Sequence, residues 1–313
     1  MPETAPLIEP EDGVGKGSAA LIAGLLLANA AGMTLLLSMS KLVQAGGLSA
    51  FAFGFWVSFA SAVGLGAALA VQVRRRAVRM IWPWRYWAVS ALVSLALPQL
   101  IIFLAAAQIG AGLAAIGFAL PTLTTWITAR IWGIEPHNGL RMGGALIGAV
   151  GALWLLLPQG GAVPPDALPW LGLSCVAAVV LGFGNVYRGV CWPKGATALE
   201  LAVGMLVLGT LAFGGMAVAT GNTLVFWQFP DAVPPLAVQM LAASFLYLAY
   251  FGLQKAAPPV LFGLLGQIGL VFNLIVGALF LDETYSLTAL GAVALMLIGL
   301  LGIVLGGIKR PAK

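Results

Sequence analysis

The sequence contains few charged residues. Asp, Glu, Lys and Arg make up 8% of its 313 residues, whereas 61% of the residues are hydrophobic. A soluble domain carries roughly 25% charged residues, so this composition excludes an ordinary soluble enzyme or binding domain. A bilayer admits chains of this kind mainly as bundles of helices, because every backbone polar group must be satisfied internally. We therefore predict an all-α polytopic membrane protein.

Histidine and cysteine are also scarce, which limits the chemistry that the chain can perform. His137 is the single histidine, and Cys175 and Cys191 are the two cysteines. On one helix the two cysteines would lie about 24 Å apart, too far for a disulfide between them. His137 has no histidine or cysteine beside it to form a metal site. We predict no metal, no cofactor and no enzyme activity, because intramembrane enzymes need paired acids or a histidine with a nucleophile.

The net charge of +5 does not indicate a nucleic-acid partner. The cations lie in short segments beside apolar runs, where Lys and Arg set the orientation of the helices. The basic and aromatic segment from Arg74 to Arg85 is predicted to contact anionic lipid head groups. Membrane lipid is therefore the expected partner of these cations.

Long apolar runs occupy most of the chain. A helix needs about 20 apolar residues to cross a bilayer. On that basis we predict ten spans: Ser18–Ser40, Gly47–Val73, Tyr86–Ile109, Ala111–Gly133, Asn138–Leu157, Leu168–Val190, Ala198–Thr220, Pro234–Lys255, Pro258–Leu281 and Ser286–Gly307. With the amino terminus inside, every Lys and Arg except Lys41 falls on the cytoplasmic side. This distribution predicts that both termini are cytoplasmic.

The two halves of the sequence repeat one pattern at a constant spacing. The same interval separates three pairs of residues: Glu135 and Glu283, Gly143 and Gly291, Gly151 and Gly299. Such self-similarity indicates an internal repeat. Five spans in each copy make the second copy inverted, an arrangement typical of secondary transporters with a midplane binding site. The predicted units are a disordered tail (1–17), a first repeat (18–157), an outer linker (158–167), a second repeat (168–307) and a cytoplasmic tail (308–313).

The chain resembles the drug/metabolite transporter superfamily over about residues 18–307. The resemblance is carried by Pro121 within a span, by the twice-repeated span, Glu and Gly-rich span, and by the segment G-L-S-C-V-A-A-V-V-L-G-F-G-N-V-Y-R that ends at Arg188. It is closest in general appearance to EamA-like bacterial exporters, including the aromatic amino-acid exporter type. The resemblance implies a central cavity lined by spans 1, 3, 4, 6, 8 and 9, with spans 5 and 10 outside it. Gly269 stands where the repeat would place a second Pro121.

Polar and aromatic side chains near the middle of several spans form the predicted substrate site. Polar groups at this depth are costly unless they meet one another or line a wet cavity. The candidates are Asn29, Gln99, Thr122, Trp126, Asn185, Ser244, Tyr247, Tyr250 and Gln267. Each one alone is also compatible with hydrogen bonding between helices.

Proline and glycine positions predict where the helices bend. Pro98, Pro121 and Gly269 are the predicted hinges, because proline removes a backbone donor and glycine relaxes the backbone. Ser94 and Gln99 lie on opposite faces of an ideal helix, and a kink at Pro98 leaves open which of them faces the cavity.

The spans have no charged residue near their centres. Arg188 lies close to the inner end of its span, from which it is predicted to snorkel to the interface. An uncharged cavity suits a neutral or zwitterionic solute with an apolar body. Together with the resemblance to bacterial amino-acid exporters, this suggests a secondary transporter that exports small amphipathic metabolites, above all aromatic or apolar amino acids, across a bacterial inner membrane. The alternatives are a drug or nucleoside exporter and, from another class, a non-transporting receptor or scaffold.

Small residues at a four-residue spacing predict a close helix contact. The pairs Gly144 with Gly148 and Gly302 with Gly306 would let two backbones approach each other. They either join spans 5 and 10 within one chain or form the interface of a homodimer.

Overall fold

The structure is a computed structural model that describes residues 18–76, 81–114, 120–134, 138–155, 168–257, 261–262, 264–280 and 287–308. Every helical or extended element in these ranges is a helix, which confirms the all-α prediction for them. Glu135, His137 and Glu283 lie outside the described residues, as do residues 1–17, the linker 158–167 and the last five residues.

The helices follow one another with short connections. They are α1 (Ala19–Ala45), α2 (Ala50–Arg76), α3 (Trp84–Ala91), α4 (Leu97–Ala114), α5 (Pro121–Ile131), α6 (Gly139–Leu155), α7 (Leu168–Val190), α8 (Ala198–Ala219), α9 (Val233–Ala256), α10 (Leu265–Phe280) and α11 (Leu287–Ile308). Two 3₁₀ turns, Phe226–Gln228 and Pro230–Ala232, precede α9.

Six helical stretches are long and apolar enough to cross a membrane. They are Ala19–Ala45, Ala50–Arg75, Trp84–Ala105, Leu168–Val190, Ala198–Ala219 and Pro230–Ala256. These stretches indicate an integral membrane protein with several spans. The helices α5, α6, α10 and α11 lie within the other four predicted spans.

Local sequence explains where several helices start and stop. Ser18 caps α1 by accepting a hydrogen bond from the Leu21 backbone N–H at 3.3 Å. Thr197 and Glu200 form a capping box at the start of α8, in which each side chain accepts from the other residue's backbone N–H. The chain leaves α1 through Gly47, whose φ of 93° is readily adopted only by glycine.

A π turn, Leu92–Ala96, joins α3 to α4 just before Pro98. The Leu97 N–H bonds to the Leu92 carbonyl, five residues back, instead of to the residue four back. This pattern brings residues five apart onto one side of the helix. Ser94 and Gln99, which an ideal α-helix would separate, therefore face the same way.

The helices α6 and α11 pack backbone against backbone. A Cβ atom added to Gly144 would lie 2.6 Å from the Gly299 carbonyl oxygen and 2.7 Å from the Ile303 nitrogen. Only glycine permits this approach. The small-residue faces thus make a contact within one chain, the intramolecular one of their two predicted uses.

Helices from the first part of the chain pack mainly on helices from the last part. The helix α1 contacts α9 and α10, and α7 contacts α4 and α5. The helix α2 packs on α8 and α9. Interior contacts are made by aromatic rings such as Phe53 and Phe103, which meet edge to face at 5.5 Å. This packing leaves a space between α1 and α9 on one side and α4 and α7 on the other.

Candidate functional site

A cavity lies between α1, α4, α7 and α9. The empty space between its walls measures about 850 Å³, including the part that opens toward solvent. Its polar and tyrosine lining comes from four separate stretches of the chain: Asn29, Ser94, Gln99, Asn185, Gln239, Tyr247 and Tyr250.

Apolar side chains form the rest of the cavity wall. They include Met33, Leu36, Leu181, Met205, Leu246, Phe262 and Leu265. Along α9 the lining runs from Gln239 to Tyr250, about 16 Å at 1.5 Å per residue. An elongated space with mostly apolar walls and a few polar groups suits an amphipathic solute.

Five of the predicted substrate-site residues line this cavity: Asn29, Gln99, Asn185, Tyr247 and Tyr250. The Tyr247 hydroxyl of α9 lies beside the Gln99 side chain of α4. Asn185 donates from Nδ2 to the Thr125 hydroxyl at 3.0 Å, which ties α7 to α5. The same side chains thus line the space and bond between helices, so the two interpretations made from the sequence both apply.

Three other predicted residues do not line the cavity. Ser244 faces α2, because a Cβ atom added to Gly64 would lie 2.6 Å from the Ser244 hydroxyl. Trp126 is buried in an apolar cluster with Val186 of α7. Thr122 is fully buried, one residue after the cavity-lining Pro121. Depth in a span, the criterion applied to Thr122 and Ser244, does not define the direction of a side chain. Trp126 was chosen because it lies four residues from Thr122 on the same helix face.

The remaining predictions concern Gln267 and the hinges. The Gln267 side chain lies outside the described residues, although its neighbour Gly266 lines the cavity. Pro121 is the first residue of α5 and Pro98 follows the π turn. The Gly269 carbonyl accepts a hydrogen bond from the Thr34 hydroxyl at 3.4 Å. The hinge roles of these residues stay predictions.

Two cavity residues carry buried polar atoms without a partner in the described part of the chain. They are the Ser94 Oγ and the Gln239 Oε1 atoms. The sequence analysis did not single out Gln239. It left Ser94 unassigned because a kink at Pro98 left open whether Ser94 or Gln99 faces the cavity. Unpaired polar atoms beside an empty space are available to a ligand.

Arg188 is fully buried next to one end of the cavity. Its Nε donates to Gln254 Oε1 at 3.2 Å, and its Nη2 donates to Asn185 Oδ1 at 2.9 Å and to the Tyr250 hydroxyl at 2.6 Å. Its guanidinium carbon lies 5.0 Å from the centre of the Tyr250 ring and 5.5 Å from that of Phe262. Its Nη1 has no hydrogen-bond partner among the described residues.

The prediction that Arg188 snorkels to the interface is wrong. The side chain turns into the protein because Gln254 and Tyr250 of α9 offer neutral acceptors, and two aromatic faces attract the cation. Burying a cation without an anionic partner is costly. One end of the cavity therefore has a fixed positive charge behind its wall, contrary to the uncharged cavity that the sequence predicted.

No family model matches the sequence, and no curated protein matches it. A solved structure, described only as "Crystal structure of protein", is similar over 91% of this chain and 99% of the other. The TM-score is 0.62 and the sequence identity is 18%. At this identity the similarity shows a shared fold and assigns no function.

The arrangement equips the cavity to bind a small solute by several kinds of contact. Tyrosine and phenylalanine rings offer apolar faces, and Tyr247 and Tyr250 add hydroxyls. Amide groups on four helices, from Asn29, Gln99, Asn185 and Gln239, offer both donors and acceptors. These groups line one continuous space, so one solute can contact several helices at once.

Proposed function

We propose that this protein is a secondary transporter that exports small amphipathic metabolites, above all amino acids with aromatic or apolar side chains. It works by alternating access between two inverted five-helix repeats, ten spans in all, and belongs with the drug/metabolite transporter superfamily that its sequence resembles. The carrying observation is the cavity between α1, α4, α7 and α9, with polar groups among mainly apolar walls.

The pattern of helix neighbours supports the inverted repeat. Span 1 (α1) packs on spans 8 and 9, which are α9 and α10. Span 6 (α7) packs on spans 3 and 4, which contain α4 and α5. Raising each span number in the second set by five, and continuing from span 10 to span 1, gives the first set. Span 6 becomes span 1, and spans 3 and 4 become spans 8 and 9. A pseudo-two-fold axis between the halves produces such an exchange of neighbours, and transporters place their binding sites beside that axis.

The chemistry of the lining supports amino acids as substrates. Tyr247, Tyr250 and Phe262 offer faces for an aromatic or branched side chain. Ser94 and Gln239 offer oxygens without protein partners in the described part of the chain, which suits a polar head group. A bacterial inner-membrane location with both termini in the cytoplasm completes the proposal, because Lys and Arg concentrate on one predicted side.

Flux into proteoliposomes tests the proposal. Purified protein is reconstituted, and uptake of labelled phenylalanine, tyrosine, tryptophan, leucine and valine is compared with uptake by protein-free vesicles. Tyr247→Ala should lower flux about tenfold, because it removes an aromatic ring and a hydroxyl from the cavity wall. Phe245→Ala is the matched control, since Phe245 lies on the same helix but is 67% exposed.

The outcomes separate the possible substrates. Saturable flux of amino acids that Tyr247→Ala lowers and Phe245→Ala preserves supports the proposal. Flux of nucleosides or of ethidium without amino-acid flux assigns the same cavity to a nucleoside or drug exporter. An absence of flux for every solute, from protein that remains folded, contradicts a transport function and favours a receptor or scaffold.

A further inference from the structure

Arg188 is a buried cation whose hydrogen-bond donors are not all satisfied. Its three partners in the described part of the chain, Gln254, Asn185 and Tyr250, are neutral, and its Nη1 has none. A guanidinium presents five N–H donors in a planar fork that fits a carboxylate with two parallel bonds. Neutral acceptors leave both the charge and part of that fork uncompensated. An anion with two oxygens would satisfy both the charge and the fork.

Arg188 lies close enough to the cavity for its charge and its unsatisfied donor to act on a ligand there. Two of its hydrogen-bond partners, Asn185 and Tyr250, line the cavity, as does the Phe262 ring beneath the guanidinium. The cation therefore lies directly behind the wall, one side chain away from the empty space. The Tyr250 hydroxyl, 2.6 Å from Nη2, occupies the place that a ligand oxygen would take.

We propose that Arg188 binds the carboxylate of the transported solute, which makes a carboxylate the feature that the site requires. This inference rests on the proposed transport function and narrows its substrate class. A rotation of the Tyr250 side chain exposes Nη1 and Nη2 to the cavity, and the carboxylate replaces the hydroxyl as acceptor. The apolar body of the solute then lies along α9 toward Leu246. Amines, nucleosides and cationic drugs lack the group that Arg188 recognises.

Binding to the purified protein in detergent provides the test, because it does not depend on transport. Four ligands share one aromatic body: phenylalanine, 3-phenylpropionate, phenylalanine amide and phenethylamine. The first two carry a carboxylate and should bind about tenfold or more tightly than the last two, as expected for hydrogen bonds to a charged group. The full set of amino acids and short monocarboxylates is measured in parallel, so that a different body size does not hide the preference.

Three variants separate recognition from packing. Arg188→Gln should abolish the carboxylate preference. Arg188→Lys should keep part of it, because the charge remains but the planar fork is lost. Tyr250→Phe should keep or increase the preference, because it removes the competing hydroxyl and keeps the ring. Arg130→Gln is the matched charge control, since Arg130 is exposed near the end of α5.

Several results would overturn the proposal. One is a carboxylate preference that survives in folded Arg188→Gln; another is tight binding of the amide or amine to the unmodified protein. Failure of every carboxylate to bind also overturns it. If Arg188→Gln does not fold, the Arg188→Lys and Tyr250→Phe variants provide the test. A loss of stability in both variants with an unchanged preference for carboxylate ligands would assign Arg188 a packing role only. Carboxylate binding without flux would instead reject the transporter and leave the Arg188 site standing.

Discussion

The contact between α6 and α11 allows a quantitative prediction for Gly299→Ala. A Cβ atom at Gly299 would lie 2.5 Å from the Gly144 carbonyl oxygen and 2.7 Å from the Gly148 Cα atom. Both are backbone atoms, so no side chain can rotate away. Ordinary contacts begin at 3.4 Å, and the two helices must therefore separate by roughly 1 Å to admit the methyl group.

The expected cost follows from overpacking, which destabilises by about 1–3 kcal/mol. The higher helix propensity of alanine returns up to about 1 kcal/mol. The net loss for Gly299→Ala should then be about 1–2 kcal/mol. Gly143→Ala is the matched control, because a Cβ atom there meets nothing within 4 Å. It receives only the propensity gain and should leave stability unchanged or slightly higher.

Thermal unfolding of the purified protein in detergent, followed by tryptophan fluorescence, measures the difference. A loss of 1 kcal/mol lowers the Tm of a domain of 150–250 residues by about 2–4 °C. Gly299→Ala should therefore unfold several degrees below the unmodified protein, and Gly143→Ala should not. A Tm for Gly299→Ala equal to that of Gly143→Ala would refute the close backbone contact.

Three further predictions concern the cavity, the orientation and a helix cap. Gln99→Ala and Tyr247→Phe should destabilise non-additively, with a coupling of about 0.5–1.5 kcal/mol in a double-mutant cycle, because the two side chains are neighbours; additive losses would show that they do not interact. In a Cys175→Ser background, an impermeant maleimide should label Cys191 only after permeabilisation, and labelling of intact cells would reverse the proposed orientation. The rate of maleimide labelling of Cys191 should rise with pH, because burial raises the pKa of its thiol and the thiolate is the reactive form. Thr197→Ala should lower the free energy of unfolding by about 1 kcal/mol, because it removes one half of the capping box; an unchanged Tm would show that the cap contributes nothing.

The helical architecture was predictable because lipid leaves the backbone few alternatives. Apolar runs of the required length locate the long helices, and hydrogen-bonding side chains such as Ser18 and Thr197 mark two of their starts. The direct backbone contact of α6 with α11 was anticipated from the glycine spacing.

The depth of the cavity residues within their spans could be predicted from the sequence, but the direction of their side chains could not. Counting along a span places Asn29 and Tyr247 at the level of the cavity. The same count selected Ser244, which is turned about 60° from Tyr247 at 100° per residue and faces α2. Ser94 was left unassigned because Pro98 could kink the span, and the structure has a π turn, Leu92–Ala96, that changes the helix periodicity there.

Arg188 shows a second reason for the difference between sequence and structure. A cation near a helix end usually extends to the interface, and the sequence favours that outcome. Whether it instead turns inward depends on what the neighbouring helices present. Here Gln254 and Tyr250, more than sixty residues away, supply the acceptors. Contacts this distant do not appear in any local pattern.

The glycine contact between α6 and α11 also has a consequence for how the chain is made. The ribosome finishes α6 long before it begins α11 at Leu287. At synthesis rates of about 5–20 residues per second, the Gly144 face waits on the order of ten seconds for its partner. During that interval lipid or a membrane chaperone must occupy the groove. Helix α11 therefore completes the packing of the bundle. A nascent chain that stops before Leu287 leaves the Gly144 face of α6 exposed to non-native contacts.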